Sequence, residues 1–507
     1  MRRLTRHSTR RRADTTVLAR LEDTWSVVVS AAIGLAVVGG WLESLRRSIS
    51  TEPPAAGTAL PGSLTTGVLG VVALAAVVSL FARLGPVGVG SAAAAWWLPL
   101  PAPRRGVLRG ELLRLTVVCV LVSAALAVPP ALALPDRPGP GLVVSSASLA
   151  VASVVGLLGA VTLLQTRRQS GPLAPLAGGL AVLVSAVAAG LTAAPGLADG
   201  SRVLPSWNPP AGGQAWALGA VVPAFLLLAL AERGLGRLDA GSLRAVGATS
   251  EYAAASAVSM DIRGLGRALG ARRLHPPARS RRFRRVTRPW QAIVTADLTL
   301  LARSPWQAGQ LVVATAIPVV AARTDGIDRL PLAVWAGLAV GWSSAAVATG
   351  HPARHAQAAP ALDRLLPLSP AQVVAARSVA PALLLVPAFG TGGLLIGAGT
   401  GSSLGWAALA LATVPAWTAA ALRGAYRPEL DWSGPVVSTP MGVLPVGIGA
   451  TLVQGIDVGL LGSAPLAVAL VLGGPPSPAL IGIALLWSGC LAAVTFAHLA
   501  RRGPAGA

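Results

Sequence analysis

The side chains that could do chemistry are few, and the first candidates are two histidines. His351 and His355 are four positions apart, so on a helix their rings would share one face, as metal ligands can. Neither glutamate nor cysteine accompanies them, and Pro352 lies beside them in a basic segment. The donor set that a metal site requires is incomplete. We therefore interpret the two histidines as a solvated pair in a loop and predict no metal site.

An acid within an apolar run is the second candidate. Asp457 lies in a run that we expect to enter the membrane. A charged side chain at mid-span costs about 2.5–3.5 kcal/mol and indicates a functional site by default. Gly455 and Gly459 flank Asp457, so a helix break near the outer surface would instead leave it in water. We treat Asp457 as a candidate intramembrane polar site and keep the solvated alternative open.

Nucleotide chemistry within this chain is excluded by its composition. All 41 basic residues are arginines, and there is no lysine. A Walker A loop requires the lysine of G-x-x-x-x-G-K-[ST], and a Schiff base requires a lysine amine. Cys119 and Cys490 lie in apolar runs without C-x-x-C neighbours, which is typical of packing residues. The sequence therefore predicts neither an enzyme nor a bound cofactor.

One polar stretch combines aromatic side chains, prolines and arginines. It contains Trp96, Trp97, Pro99, Pro101, Pro103, Arg104, Arg105 and Arg109. A later stretch contains Leu366, Pro367, Pro370 and Arg377. Both copies contain Leu-Pro-Leu, then further proline, then an arginine in the segment that enters the next apolar run. Exposed aromatic residues favour contact with a partner, so we interpret both stretches as docking loops. An aromatic anchor in the lipid interface is the alternative.

These residues must be positioned by membrane helices. The chain has 507 residues, of which 53% are hydrophobic and 12% are charged, about half the charged fraction of a soluble domain. Apolar runs close to the roughly 18 residues needed to span a bilayer recur along it. They are continuous rather than alternating, which excludes a strand barrel. We predict an all-α polytopic membrane protein with about twelve spans arranged as two six-helix repeats.

The predicted organisation is symmetrical about a basic linker. The spans are expected at 25–42, 64–82, 112–134, 142–165, 172–194, 213–231, 306–322, 330–349, 373–398, 402–422, 444–472 and 478–499. The units are a basic amphipathic segment 1–24, a first half 25–231, a linker 232–289, a connecting helix 290–305, a second half 306–499 and a tail 500–507. The eleventh span is interrupted by glycines and a proline, so counts of ten or eleven stay open.

The arginine distribution predicts the orientation. With the amino terminus in the cytoplasm, 35 of the 41 arginines fall on the inner side, as expected for cytoplasmic loops. This places both termini in the cytoplasm and the protein in the plasma membrane. Residues 1–24 fit either a surface helix or a disordered basic tail. The linker arginines at 263–288 lack interleaved aromatic residues, so we expect contact with anionic lipids and not with nucleic acid.

The layout resembles the ABC-2 type permease, the membrane subunit of an ATP-binding-cassette exporter. Many members carry a leucine-proline-basic signature similar to the stretch at 98–105. The resemblance implies an amphipathic connecting helix, six spans per unit and a coupling helix that touches a separate ATPase. The chain also looks like the Ala- and Arg-rich polytopic membrane proteins of actinobacteria that carry a label of unknown function.

Two other functions are also compatible with the sequence. A secondary transporter of the major facilitator class also has six plus six spans and a basic central linker. That class is expected to carry an acidic residue in a short loop between its second and third spans, whereas this loop is long and has no acid before Glu111. The other alternative is a membrane scaffold that transports nothing.

Overall fold

The structure is a computed structural model in which part of the chain is described. The described residues are 60, 62–100, 104–133, 140–167, 172–192, 213–258, 286–324, 327–328, 330–398, 400–427, 436–439, 442–445 and 454–502. The expected first span at 25–42, the basic segment 1–24 and the linker arginines at 263–285 lie outside these residues, as do Pro101 and Pro103.

Helices make up nearly all of the described first half and linker. They are α1 (Gly62–Leu84), α2 (Ser91–Trp97), α3 (Arg104–Ala133), α4 (Pro140–Thr166), α5 (Leu173–Leu191), α6 (Gly213–Gly234) and α7 (Ala240–Val258), with a 3-10 turn at Leu235–Arg237. We expected the third span to begin near 112 after a long loop. The helix begins instead at Arg104, because the arginines, leucines and glutamate of residues 104–115 favour helix as soon as the prolines end.

The second half is helical apart from one short hairpin. Its helices are α8 (Pro289–Ala302), α9 (Pro305–Arg323), α10 (Pro331–Thr349), α11 (His351–Gln357), α12 (Pro360–Arg364), α13 (Pro370–Gly397), α14 (Ser403–Ala412), α15 (Val414–Ala425), α16 (Ile456–Gly462), α17 (Ala464–Leu472) and α18 (Pro478–Arg502). Strands β1 (Val436–Thr439) and β2 (Gly442–Pro445) pair antiparallel. The eleventh span therefore does not begin at 444 as expected, because that position lies in a strand.

Ten stretches of the described helices are long and apolar enough to cross a membrane, the consecutive α14 and α15 counting as one. Large apolar side chains remain exposed on their outer surfaces, including Leu121, Leu486 and Val494. Exposure on this scale is unfavourable in water and expected in lipid, where the tails are as apolar as leucine. The prediction of an all-α, multi-pass membrane protein is confirmed.

Two short helices, α16 and α17, follow one another in a further apolar segment that is not among these ten stretches. The pair α16–α17 runs antiparallel to α14–α15, since Asp457 bonds Arg423 at one end and Pro476 lies beside Gly405 at the other. In the middle, the Trp417 indole N–H donates to the Ser463 hydroxyl over 2.8 Å, at the junction of the two short helices. The interruption that we expected in this span is present, and the segment still connects opposite ends of its neighbours.

Within each half, pairs of the described helices pack on each other. In the first half α1 packs on α5, α3 on α4, and α4 on α6. In the second half α10 packs on α16–α17, α13 on α14, and α14–α15 on α18. The second half also has an aromatic core, with Trp342 stacked on Phe389 at 4.2 Å and Trp417 meeting both edge-on.

The halves join where α5 lies alongside α9. A Cβ added at Gly178 would meet the Trp306 ring at 2.5 Å, so glycine permits this close contact. The Arg83 guanidinium lies 4.7 Å from the centre of the same ring. At the other end, Arg323 donates to the Thr192 carbonyl. The two sets of contacts lie at opposite ends of α5 and α9, and each end belongs to one of two opposite faces of the molecule.

We call one of them the arginine-rich face. Among the described residues it comprises the helix ends and connections at 83–100, 104, 165–167, 172–173, 232–258, 286–305, 350–370, 423–427, 454–457 and 499–501. The opposite face includes the segments near Leu60, Thr192 and Arg323.

Candidate docking surface

The first expected docking loop is held in place by backbone contacts on the arginine-rich face. The side chain of Gln165, at the end of α4, donates to the Val87 carbonyl over 2.9 Å and accepts from the Val87 N–H over 3.4 Å. All of these atoms are buried, so the exchange satisfies two backbone groups that water cannot reach. The Val89 N–H donates to the Leu243 carbonyl on α7. The chain that leads into α2 is therefore fixed to two neighbouring helices.

Helix α7 lies inside the segment that we interpreted as a linker, and it supports the loop. A Cβ on Gly247 would lie 1.9 Å from the Val89 carbonyl oxygen, so only glycine allows this approach. Glu251 accepts from the Ser91 N–H over 2.9 Å, and this hydrogen bond lowers the pKa of the Glu251 carboxyl. The carboxylate thereby partners a free N–H in the first turn of α2.

Helix α2 projects an aromatic side chain from this support. Its sequence Ser-Ala-Ala-Ala-Ala-Trp-Trp is dominated by alanine, the strongest helix former. Trp96 is 78% exposed, Trp97 is half-buried, and Leu98 is buried in the cluster below. Pro99 and Leu100 are also exposed. The loop is thus an ordered platform that presents Trp96 on the arginine-rich face.

The arginines of the first loop lie on the opening turns of α3. Arg104 donates to the Leu238 carbonyl over 3.3 Å. Arg105 and Arg109 both approach Oε1 of Glu232, at 3.3 and 3.6 Å. Their side chains are 51% and 64% exposed. Exposed pairs of this kind contribute at most about 1 kcal/mol, so these arginines remain available for contact with a partner.

The second expected docking loop contains two short helices and a proline-rich turn. Leu362 and Leu365 are exposed, Leu365 at 80%, and Pro367 is exposed beside them. Ser369 caps α13, since its hydroxyl accepts from the Gln372 N–H and its own N–H donates to the Gln372 side chain. Such a reciprocal capping box fixes the direction in which the chain enters the helix. The Leu-Pro-Leu-Ser-Pro sequence is therefore a rigid entry to α13.

Arg377 is not on the surface, although we placed it with the docking residues. Its guanidinium is buried and joins two acids from different elements. It bonds both oxygens of Asp363, on α12, at 3.2 and 2.6 Å, and Oδ1 of Asp297, on α8, at 2.8 Å. Arginine suits this position because its planar fork bonds a carboxylate through two N–H groups. Sequence pattern alone missed Asp297 and Asp363.

The cluster holds two carboxylates against one guanidinium in a buried site. Burial raises the pKa of Asp297 to about 6, and the attraction of Arg377 offsets only part of that effect. Burial likewise raises the pKa of the neighbouring Tyr426 hydroxyl. A buried charge is stable only when it is paired, so the ion pairs of Arg377 with Asp297 and Asp363 hold α8, α12 and α13 together.

Asp457, the candidate intramembrane site, lies at the arginine-rich end of the α16–α17 segment and not at its middle. Its carboxylate pairs with Arg423 at 2.9 Å and accepts from the Gly455 N–H. Gly455 has φ +100°, and a Cβ there would lie 2.7 Å from Gly424, so this turn requires glycine. The arrangement is that of a structural turn closed by an ion pair.

The two histidines lie on a helix and not in a loop. They belong to α11, with ring centres 4.4 Å apart and planes nearly perpendicular. The described residues contain no group of three or more potential metal ligands. The prediction of a loop is therefore wrong, because Pro352 occupies the first turn, where a helix tolerates proline.

These features define the class of protein: a multi-pass helical membrane protein with two ordered loops on one face. Within that class, the chain belongs to the family of unknown function DUF6297, whose model matches residues 54–435. A comparison with curated proteins gave no match. The matched region includes both loops and the acids that pair with Arg377.

Proposed function

We propose that this protein is the permease subunit of an ATP-driven ABC-2 type exporter, energised by a separate ATPase subunit. The observation that carries the proposal is the pair of ordered loops on one face. Each loop precedes the third span of its half, and each presents an exposed apolar residue, Trp96 or Leu365. Unsupported apolar side chains of this size favour burial against a partner.

The repeated helix pairings support a six-plus-six arrangement for this transporter. The described residues 85–100 lie between α1 and α3, and residues 350–369 lie between α10 and α13. In each half the same pairs of helices pack on one another. Two equivalent loops would accept two ATPase subunits that act together. The arginine excess on this face favours a cytoplasmic location, where ATP is available.

The buried cluster provides a route from the second loop into the membrane. A force on α12 acts on Asp363, which is bonded to Arg377 near the start of α13. Asp297 couples the same guanidinium to α8, which leads into α9. Breaking a buried ion pair costs about 3–5 kcal/mol, so the three helices are expected to move as one body.

The energy source is expected in another chain. Without lysine this protein has no Walker A loop, so ATP binding and hydrolysis would belong to the partner. As a mechanism, closure of two ATPase subunits on ATP would push both loops, and the two halves would alternate between inward and outward openings. The interface between α5 and α9 is where they would move against each other.

The test is purification from native membranes followed by crosslinking through photoreactive residues placed at Trp96 and Leu365. We expect an ATPase with a P-loop and no spans to crosslink at both positions. Trp96→Ala and Leu365→Ala should reduce its recovery severalfold. Tyr252→Ala is the matched control, because Tyr252 is an exposed aromatic residue on α7 at the same face. Recovery of no ATPase, with transport that an uncoupler abolishes at constant ATP, would instead support the secondary transporter.

A further inference from the structure

The start of α3 exposes a helix face, whereas the same face at the start of α13 is buried. Leu98-Pro99-Leu100 and Leu366-Pro367-Leu368 are each followed nine residues later by an arginine, Arg109 or Arg377. In this register Arg105 corresponds to Val373. Helix α8 covers Val373 and Arg377 in the second half, where both are buried. Arg105 and Arg109 have exposed side chains in the described part of the first half.

A sequence match identifies the segment that would cover this face. Residues 13–20 read Ala-Asp-Thr-Thr-Val-Leu-Ala-Arg, and residues 296–303 read Ala-Asp-Leu-Thr-Leu-Leu-Ala-Arg, with six of eight positions identical. Each segment is followed within five residues by a tryptophan that opens an apolar run, Trp25 or Trp306. The match aligns Asp14 with Asp297, the acid on α8 that pairs with Arg377.

We propose that residues 13–20 dock on the start of α3, with Asp14 pairing with Arg109 as Asp297 pairs with Arg377. Residues 13–20 lie outside the described part of the chain, and the proposal assigns them a place by sequence equivalence. It goes beyond the proposed function because it concerns contacts within this chain alone. Both halves would then connect the segment that enters their first span to the helix that follows their docking loop.

The charges around Arg105 and Arg109 favour residues 13–20 as the segment that docks there. Arg105 and Arg109 approach one carboxylate oxygen of Glu232, so two positive charges share one negative charge. Arg377 has two acids, Asp363 and Asp297. The position equivalent to Asp363 is Ala95, and Glu232 supplies an acid in its place. Asp14 would supply the second, and opposite charges within about 4–6 Å attract each other.

One difference between the halves limits the strength of the docking. Ile293 of α8 packs on Val373, whereas the aligned residues of the first half are Arg10 and Arg105. The apolar contact is therefore absent, and the ion pair with Asp14 must hold the segment.

Crosslinking tests this placement without any partner protein. In a chain carrying Cys119→Ala and Cys490→Ala, cysteine pairs replace Arg10 and Arg105, Arg10 and Arg244, or Arg105 and Glu232, so that Asp14 and Arg109 keep their side chains. A protease site between residues 50 and 58 separates the amino-terminal fragment unless a short bifunctional thiol reagent has joined it to the rest. The Arg105–Glu232 pair lies on the same side of that site, so its crosslink is read by mass spectrometry as proof of folding.

We expect the Arg10–Arg105 pair to crosslink severalfold more than the Arg10–Arg244 pair, because Arg10 and Arg105 align with Ile293 and Val373, which pack together, whereas Arg244 is exposed elsewhere on the same face. Asp14→Arg should reduce the yield of the Arg10–Arg105 pair to that of the Arg10–Arg244 pair. Equal yields for the two Arg10 pairs with Asp14 intact, where the Arg105–Glu232 pair does crosslink, would overturn the proposal. An absent ATPase would leave this result unchanged, so the two proposals fail independently.

Discussion

At the scale of residues, the position of Arg377 depends on a balance of buried charges. Its guanidinium bonds Asp363 through two N–H groups and Asp297 through one. A lysine would keep the charge and lose the forked geometry. A neutral residue would leave two buried carboxylates facing each other, which is a severe destabilisation. The three side chains are therefore expected to respond very differently to substitution.

We predict a fixed order of stability losses within this cluster. Arg377→Leu should cost about 3–5 kcal/mol, because it leaves buried charge without a partner. Asp363→Asn should cost less, and Asp297→Asn least, since one arginine and one aspartate remain balanced. The midpoint of thermal unfolding in detergent measures the order. Arg244→Leu, at an exposed arginine, is the control. Equal midpoints for Arg377→Leu and Arg244→Leu would contradict the assignment.

The raised pKa of Asp297 predicts that the free energy of unfolding depends on pH. Its pKa is raised from the ordinary 3.8 to about 6, so the folded chain binds more protons than the unfolded chain between these values. The stability that this group contributes is complete below pH 3.8 and is lost as the pH rises through 6, by about 3 kcal/mol in total. Asp297→Asn should remove this slope between pH 4 and 7. An unchanged slope in the variant would show that another group titrates.

At the scale of elements, the first loop depends on supports that are distant in sequence. Gln165 lies 78 residues from Val87, and Glu251 lies 160 residues from Ser91. Without Gln165 the Val87 N–H and carbonyl would be buried and unpaired, at a cost of about 1–3 kcal/mol for each group. The order of α2 thus depends on α4 and α7 and not on its own seven residues alone.

Replacement of Gln165 should loosen the first loop while the helices persist. In Gln165→Leu we expect trypsin to cleave at Arg104 or Arg105 about tenfold faster, since 1.4 kcal/mol changes an opening equilibrium tenfold. Limited proteolysis in detergent measures the rate. Gln310→Leu is the matched control, because Gln310 also donates to a backbone carbonyl, that of Ser344, far from the loop. Identical cleavage rates for the two variants would refute a supporting role of Gln165.

The contrast between spans and loops explains what the sequence could predict. Continuous apolar runs specify helices such as α4 and α13, because lipid requires every backbone group to be bonded within its segment. The Leu-Pro-Leu repeat located both loops. The pairing of Asp297 with Arg377 across 80 residues was missed, since a single acid on an amphipathic helix carries no sign of its partner. Likewise, residues 232–289 were interpreted as a linker because of their polar composition, so α7 was not predicted.

At the scale of the whole molecule, the contacts order the helix ends into two faces and predict a topology. Ala371 is exposed at the arginine-rich face, and Thr400 and Gly474 are exposed at the other. Gly474 reaches that side only if α16–α17 crosses the bilayer, whereas Thr400 reaches it through the unbroken α13. Because basic loops are retained in the cytoplasm, the first position should be inside and the other two outside.

Single cysteines at these three positions, in the chain without Cys119 and Cys490, make the topology measurable in intact cells. An impermeant maleimide should label Thr400→Cys and Gly474→Cys at once, and Ala371→Cys only after permeabilisation. Labelling of Ala371→Cys alone would reverse the orientation and remove the docking loops from the side where ATP is found. Labelling of Thr400→Cys without Gly474→Cys would mean that the broken segment re-enters its own side. That result would require α18 to run antiparallel to α15 and would contradict the structure. In the structure the two helices run parallel, since Leu499 and Leu422 share one buried cluster at their ends and the Ser488 hydroxyl accepts from the Ala416 N–H earlier in both helices.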